Sequence, residues 1–550
     1  MPAGGPLLLA AALAAAPSVG PGPADGVVAA VVPAGPVCAP GTRIAKIDVE
    51  VLDVFDLTAP EQSRWFHRAA NAVHAPMRSR AWAIRKVLTL REGDRCTPEA
   101  LLEAERGLRL FTFVQDAWAE AVARSGDDVT VRVRVRDAWS TRVRLSFDAQ
   151  GGEDRSKFKL YEQNLLGTGT ALGWENLRGP ERTERALDVS APALLGRGWR
   201  AASRLSDNSD GYHREASLER PFRSLADDWS LSIAGTTDER DEKVYGGPDP
   251  IDVWRLDGHS AAILAGFSPG GSEDVVVRRF AGLAFERRSW RLADAPGVGP
   301  LRPDLAPRDA ATTALRFGVE RREIDFRRVR RVETDTRIED FDLGAVYSAW
   351  LDVAPKALSP DAALWLRLAA RKGFELRGGS FFVIEATHEI RRLRGDWYGA
   401  RTGLDARWWR VLSPSRTAFF RAFALTTRGA EGPDRPLLGG DTGLRGYEAH
   451  AFAGANLLLA VAEHRWFTSR EILGLARIGF AAFVDAGGAF DGAPSWRDLH
   501  PDVGVGLRLA VLRTAHGTTL HFDAAYALDP NGPPNDGRRL RLSFTTVGFF

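Results

Sequence analysis

A glycine-dense stretch, GGDTGLRGYEAH at residues 439–450, carries a single guanidinium, Arg445, between Leu444 and Gly446. Gly439, Gly440, Gly443 and Gly446 free the backbone for close approach to other groups. Arg445 and Tyr447, by contrast, are larger than a slack loop needs. The chemistry such a guanidinium offers is charge-assisted hydrogen bonding, two-pronged when the acceptor is a carboxylate. Bond-making chemistry finds no comparable foothold. GFSPG (Gly266–Gly270) has the spacing of a nucleophile elbow, but an elbow needs a strand before it and a helix after it. Here Pro269 and further glycine lead into the strand-like VVVRRF. HEIRR at His388 lacks the second histidine of a zinc-binding helix. GTGTALG lacks the dinucleotide spacing and a following helix. His67 and His74, two helical turns apart, are expected at the surface rather than on a metal. The chain therefore reads as a non-enzyme, with no metal and no cofactor.

Lys+Arg 73 against Asp+Glu 71 over 550 residues leaves no basic excess, which argues against a nucleic-acid partner. The 28 Phe and 16 Trp are enough to fill a large core or to face lipid. LLLAAALAAA (Leu7–Ala16) has the length of an export signal's apolar region and is too short for a membrane-spanning helix. No Lys or Arg precedes Arg43, so the signal lacks its usual positive start. Residues 1–40 are read as signal peptide and leader. Cys38 and Cys96 are the two cysteines. In an exported chain they either pair, which stabilises by roughly 4 kcal/mol in the chain-entropy model, or remain free thiols. No later segment offers 18 consecutive apolar residues, which excludes helical spans. Export then leaves a soluble secreted protein or a transmembrane β-barrel.

Two kinds of element must position these residues. Residues 41–138 have a mixed pattern, opening on the alternating IDVEVLDVF (Ile47–Phe55). A helix-like run interrupted by Pro76 follows, and then TPEALLEAERGLRLF, with Thr97 as N-cap and Pro98 at the first helical position. VTVRVRVRDAW ends the region, setting Val129, Val131, Val133 and Val135 against Thr130, Arg132, Arg134 and Arg136. From residue 139 the helical period disappears, and segments of about ten residues alternate between two faces. In RIGFAAFVDAGG, Ile478, Phe480, Ala482 and Val484 oppose Gly479, Ala481, Phe483, Asp485 and Gly487. In DVGVGLRLAVLR, Val503, Val505 and Leu507 oppose Asp502, Gly504, Gly506 and Arg508. The last strand sets Leu540, Leu542, Phe544, Gly548 and Phe550 against Arg541, Ser543, Thr545 and Phe549. A soluble sandwich would bury the apolar face, whereas a transmembrane barrel turns it to lipid and fills its lumen with polar groups. Some 400 residues of strand with no helical layer favour the barrel, which also removes every sheet edge.

These motifs resemble the BamA/TamA superfamily of outer-membrane assembly and translocation barrels, in which periplasmic POTRA domains precede a barrel of sixteen antiparallel strands. LREGDRCTPEALLEAERGLRLFTFVQDAWAE resembles the second helix and following strand of a POTRA domain. NLLGTG (Asn164–Gly169) is similar to the end of the first barrel strand and its turn, through Asn164, Gly167 and Gly169. LRGY (Leu444–Tyr447) matches the arginine-glycine-aromatic motif of the long sixth extracellular loop, placed here at 428–452. FVDAG (Phe483–Gly487) matches the motif of the thirteenth strand. The aromatic C-terminus, with Phe544, Gly548 and Phe550 on the apolar face, resembles the terminal signal of outer-membrane barrels. There are two departures. Residues 41–138 give a single POTRA-like domain, and residues 140–440 hold more strand-like segments than the eleven expected before the loop. Extra hairpins in loops, or a barrel larger than sixteen strands, would account for the second.

The resemblance implies that Arg445 enters the lumen and pairs with Asp485, which the alternation independently assigns to the polar face. Gly446, Tyr447, Phe483 and Gly487 complete this loop lock. Glu463 and Arg465, in AEHRWF, are candidate members of a lumen network. The implied function is assembly or insertion of outer-membrane proteins, or translocation of a polypeptide, by β-strand templating without bond chemistry. A two-partner-type secretion transporter and a passive pore or surface receptor are the alternatives. The implied partners are outer-membrane lipid, unfolded polypeptide clients, and periplasmic chaperones or accessory subunits. The implied location is the bacterial outer membrane, with the POTRA domain in the periplasm.

Overall fold

The computed structural model describes residues 38–547 apart from 40, 59–64, 151–152, 180, 193, 195–197, 223–226, 270–273, 294–304, 331, 333–337, 473–475, 513–518 and 530–536. Residues 1–37 of the expected signal peptide and leader, together with Gly548 and Phe550, lie outside the described residues.

The first unit is built on strands β1 (Arg43–Leu52), β2 (Val114–Ser125) and β3 (Asp128–Asp137) and helices α1 (Trp65–His74), α2 (Ala81–Val87) and α3 (Pro98–Arg109). The sheet order is β1-β3-β2, with β1 parallel and β2 antiparallel to β3. Val129, Val131, Val133 and Val135 are fully buried against Ile84, Leu101, Ala104 and Leu108. Period two on β3 and period 3.6 on α3 thus meet in one core. Thr97 caps α3 by accepting from the Ala100 N–H at 3.1 Å, and α1 ends at His74, just before Pro76. Cys38 and Cys96 form a disulfide, their Cα atoms 5.3 Å apart. His67 and His74 are not at the surface. His67 stacks on Phe55 with ring centroids 4.5 Å apart, and His74 Nε2 lies 3.4 Å from Asp137. An imidazole is apolar enough in body to fill such a gap, and His74 also finds a partner for its ring nitrogen in Asp137.

Among the described residues from Thr141 to Val547, twenty strands follow one another in a single sheet, and the last (Leu540–Val547) lies beside the first (Thr141–Gln150). Twenty exceeds sixteen. Fifteen strands of the sheet precede the loop at 428–452 and five follow it. The additional segments are wall rather than loop because they are long enough to cross: Pro250–Phe267 and Val275–Leu292 run 18 residues each. A strand tilted about 45° needs only ~9–11 residues to span a hydrocarbon core. Among the described residues one hairpin does sit in a connection, Phe326–Arg330 paired with Ile338–Asp342.

Exposure separates the two all-β readings. In the seventeenth strand (Ala476–Phe490), Phe480 and Val484 are each 49% exposed, whereas neighbouring Asp485 is 0%. In the twentieth, Leu542 is 65% exposed and Arg541 4%. A sandwich would show the reverse. The apolar face is the outer one, as a lipid solvent requires, and the charged face lines the interior. Phe544 packs on Phe522 with centroids 4.6 Å apart.

Candidate functional site: the loop lock and the domain junction

The loop between the fifteenth strand (Arg416–Arg428) and the sixteenth (Asn456–Ile472) folds into the barrel. Its stem is a two-residue ladder, Leu437–Leu438 against Phe452–Ala453. At the tip, Gly443 and Leu444 both donate to the Gly439 carbonyl, at 3.1 and 2.9 Å. Gly443 holds a φ of +129°, in the region that favours glycine. Leu444 and Tyr447 are fully buried among Leu425, Leu438, Leu457, Leu459 and Ala527. An apolar anchor on either side therefore fixes where Arg445 points.

Arg445 meets the wall in fork geometry. Its Nε donates to Asp485 Oδ2 at 2.7 Å and its Nη2 to Asp485 Oδ1 at 2.8 Å. Nη1 donates to Glu463 Oε2 at 2.8 Å. The guanidinium carbon sits 3.3 Å from the Phe483 ring centroid, close enough for a cation–π contact. The underside of that ring covers Gly504 of the eighteenth strand (His500–Val511), where a Cβ would stand 2.3 Å from Phe483 Cζ. Gly487 serves the stem: a Cβ there would stand 2.5 Å from the Leu458 carbonyl oxygen and 3.0 Å from Leu438 Cδ2.

Register explains why the motif needs both arginine and glycine. Asp485 lies directly opposite Asp502 on the next strand, and facing like charges are destabilising. Arg445 takes the first carboxylate, and the Gly446 N–H donates to Asp502 Oδ2 at 3.0 Å. A Cβ on residue 446 would stand 2.6 Å from Asp502 Cβ, so only glycine brings its amide this close. Tyr447 donates its hydroxyl to the Pro501 carbonyl at 3.0 Å and meets the Phe452 and His500 rings edge-on. Arg465 Nε donates to Glu463 Oε1 at 2.8 Å, so both candidate network residues join the lock. Sequence reasoning gave no role to Asp502, Asp523 or Arg508. Asp523 Oδ2 is 3.7 Å from Arg445 Nη1, and Arg508 bonds Asp523. Asp502 and Arg508 fall on the polar face of the alternation, as does Asp523 in TLHFDAAYAL, where it opposes Leu520, Phe522 and Ala524, but their convergence around one loop depends on register.

A second constellation joins the two units. NLLGTG lies at the end of the second barrel strand (Glu153–Leu165) rather than the first, because TRVRLSFDAQ (Thr141–Gln150) already forms a strand paired with it. The buried Asn164 donates through Nδ2 to the Met77 carbonyl and to Ser79 Oγ, both at 2.8 Å, and accepts from Gly169 N–H at 2.7 Å. Arg80 N–H donates to the Gly167 carbonyl at 2.9 Å. At Gly167, with φ +74°, a Cβ would stand 2.0 Å from the Arg78 carbonyl oxygen. Gly169 passes beneath the Phe113 ring, which a Cβ would meet at 3.2 Å. The turn is thus a docking plate for the connector between α1 and α2. From the sequence alone it reads only as a turn.

No family model matches the chain, and no curated protein matches it. Among solved structures it is similar to BamA from Haemophilus ducreyi lacking POTRA domains 1–3, at 12% identity and TM-score 0.38, over 91% of this chain and 84% of that one. It is also similar to CdiB from Acinetobacter baumannii, at 12% identity and TM-score 0.45, over 92% of this chain and 73% of the other. CdiB from Escherichia coli gives 12% identity and TM-score 0.44, over 92% and 76%. BamA is a member of the superfamily that the motifs resemble. Likeness at this distance carries no argument about activity.

Proposed function

We propose that this chain is an outer-membrane assembly or translocation factor of the BamA/TamA kind. In this reading residues 41–138 are a single POTRA-like domain in the periplasm, the sheet is a closed barrel in the outer membrane, and the clients are unfolded polypeptides. The factor acts by offering strand edges to a client strand rather than by bond chemistry. Periplasmic chaperones or accessory subunits would deliver the clients. The observation that carries the reading is the clamp of Arg445 on Asp485, an extracellular loop fixed to the inner wall by the arginine and aspartate of the two motifs.

Secretion through the lumen is the second reading, and one observation favours it. A cavity of about 470 Å³ is lined by side chains of both signs from other strands of the wall and the base of the loop, including Arg204, Asp238, Arg288, Asp352 and Glu431. Depletion of the protein separates the readings. The assembly reading expects several outer-membrane proteins to fall together in abundance. Unchanged outer-membrane protein levels with loss of one exported polypeptide would leave secretion; no change in either would sink both.

A further inference from the structure

Apart from the apolar bed of Leu425, Leu457 and Leu459 under the loop lock, the inner wall also departs from its polar pattern near one end of the barrel. Phe381 and Val383 on the thirteenth strand (Ser380–Leu393), Trp409 and Val411 on the fourteenth (Asp396–Ser413), and Phe419 on the fifteenth form an apolar patch. All five lie within a few residues of a turn at the same end of the barrel. Connections alternate between the two ends of an antiparallel sheet. The one after the tenth strand (Ala310–Glu323) therefore emerges at the end where Leu165–Thr170 docks on the first unit. It carries the hairpin Phe326–Arg330/Ile338–Asp342, which covers the patch. The Phe341 ring lies 5.3 Å from both Phe381 and Trp409, edge-on to the latter. Val332 and Leu343 are buried beside it. On the hairpin's other side, Arg106 of α3 stands 5.2 Å from the Phe326 ring.

Register ties this seat to the lock. Phe381, Trp409, Phe419, Glu463 and Phe483 are successive cross-strand partners along one row of the wall. The hairpin stands on the first three, and Arg445 on the last two. Between them Arg465 bonds Glu463, covers the Phe419 ring at 4.8 Å, and donates to the Val332 carbonyl at 3.3 Å.

We propose that this hairpin is a stopper in the periplasmic mouth, seated where an apolar strand of an entering polypeptide would bind, and registered to the loop lock through Arg465. Three aromatic rings flanked by two valines suit an apolar strand, and the hairpin supplies such a strand from the chain itself. Contact with α3 lets movement of the first unit draw it out. The proposal rests on the barrel reading above and not on the identity of any client.

The full-length protein, purified and reconstituted, tests it. With the stopper seated, a cysteine placed by Val332→Cys reacts with a bulky maleimide about tenfold more slowly than in the Phe341→Asp background, because reaction requires local opening. Phe341→Asp raises conductance across a planar bilayer, and Arg465→Ala, which keeps every apolar contact of the seat, speeds labelling in the same direction. Rapid labelling in the otherwise unsubstituted chain, or conductance unmoved by Phe341→Asp in a barrel whose heat-modifiable gel mobility persists, overturns the stopper. Should Phe341→Asp fail to fold, labelling unchanged by Arg465→Ala overturns the link to the lock. Absence of heat-modifiable mobility in the unsubstituted protein would instead sink the barrel reading.

Discussion

Arg445 bonds two carboxylates, lies near a third and covers a ring, so its removal leaves more than one group unanswered. A buried ion pair is weak evidence for net stability, since desolvation offsets much of the attraction. Truncating one partner is a different matter, because Asp485 is wholly enclosed and an orphaned buried charge costs about 3–5 kcal/mol. Arg445→Ala and Asp485→Ala are each expected to lower the unfolding free energy of the lipid-reconstituted protein, read from urea titration, by an amount in that range. The double variant should lose little more than either single one. Additive losses would mean that the two side chains do not act as a pair. Asp485 was legible from the motif and from its face in the alternation. Asp502 was not singled out, because its need for the Gly446 amide arises only when two carboxylates are brought face to face.

At the scale of elements, the junction between the two units turns on one side-chain amide. Asn164 uses both its donor and acceptor capacity, holding the connector at Met77–Ser79 while closing its own turn at Gly169. Replacing it with alanine strands buried partners, each worth about 1–3 kcal/mol when unsatisfied. Asn164→Ala is expected to leave the barrel intact and to loosen the first unit. Limited proteolysis should then cut the connector several-fold faster, with heat-modifiable mobility unchanged. A connector as resistant as before would show that the docking is held elsewhere. The glycines of NLLGTG suggested a turn, but neither spacing nor pattern pointed to Met77, almost ninety positions earlier in the chain. The small unit was easier to read: its valine face and its Thr97 cap are properties of contiguous residues.

For the whole molecule, the outward apolar band is the feature that fixes the solvent. Val505 is 63% exposed in the middle of its strand. Arginine at a lipid-facing site costs roughly 2–4 kcal/mol near the bilayer midplane. Val505→Arg should therefore destabilise the protein folded into phospholipid vesicles by about that amount, while an unchanged unfolding midpoint would argue that this face does not meet lipid.

Composition, period-two alternation and turn residues determined that the chain is a small mixed unit followed by a very large all-β sheet, and which residues share a face. Those are local properties, set by neighbours two positions apart. Only the tertiary structure decided that the sheet of the described residues has twenty strands, that NLLGTG ends the second of them, and that Glu463, Phe483, Asp485 and Asp523 converge on one arginine. Pairing and register come from contacts between residues distant in the chain. A shift of one residue exchanges the two faces of a strand, so no single segment carries the information that settles them.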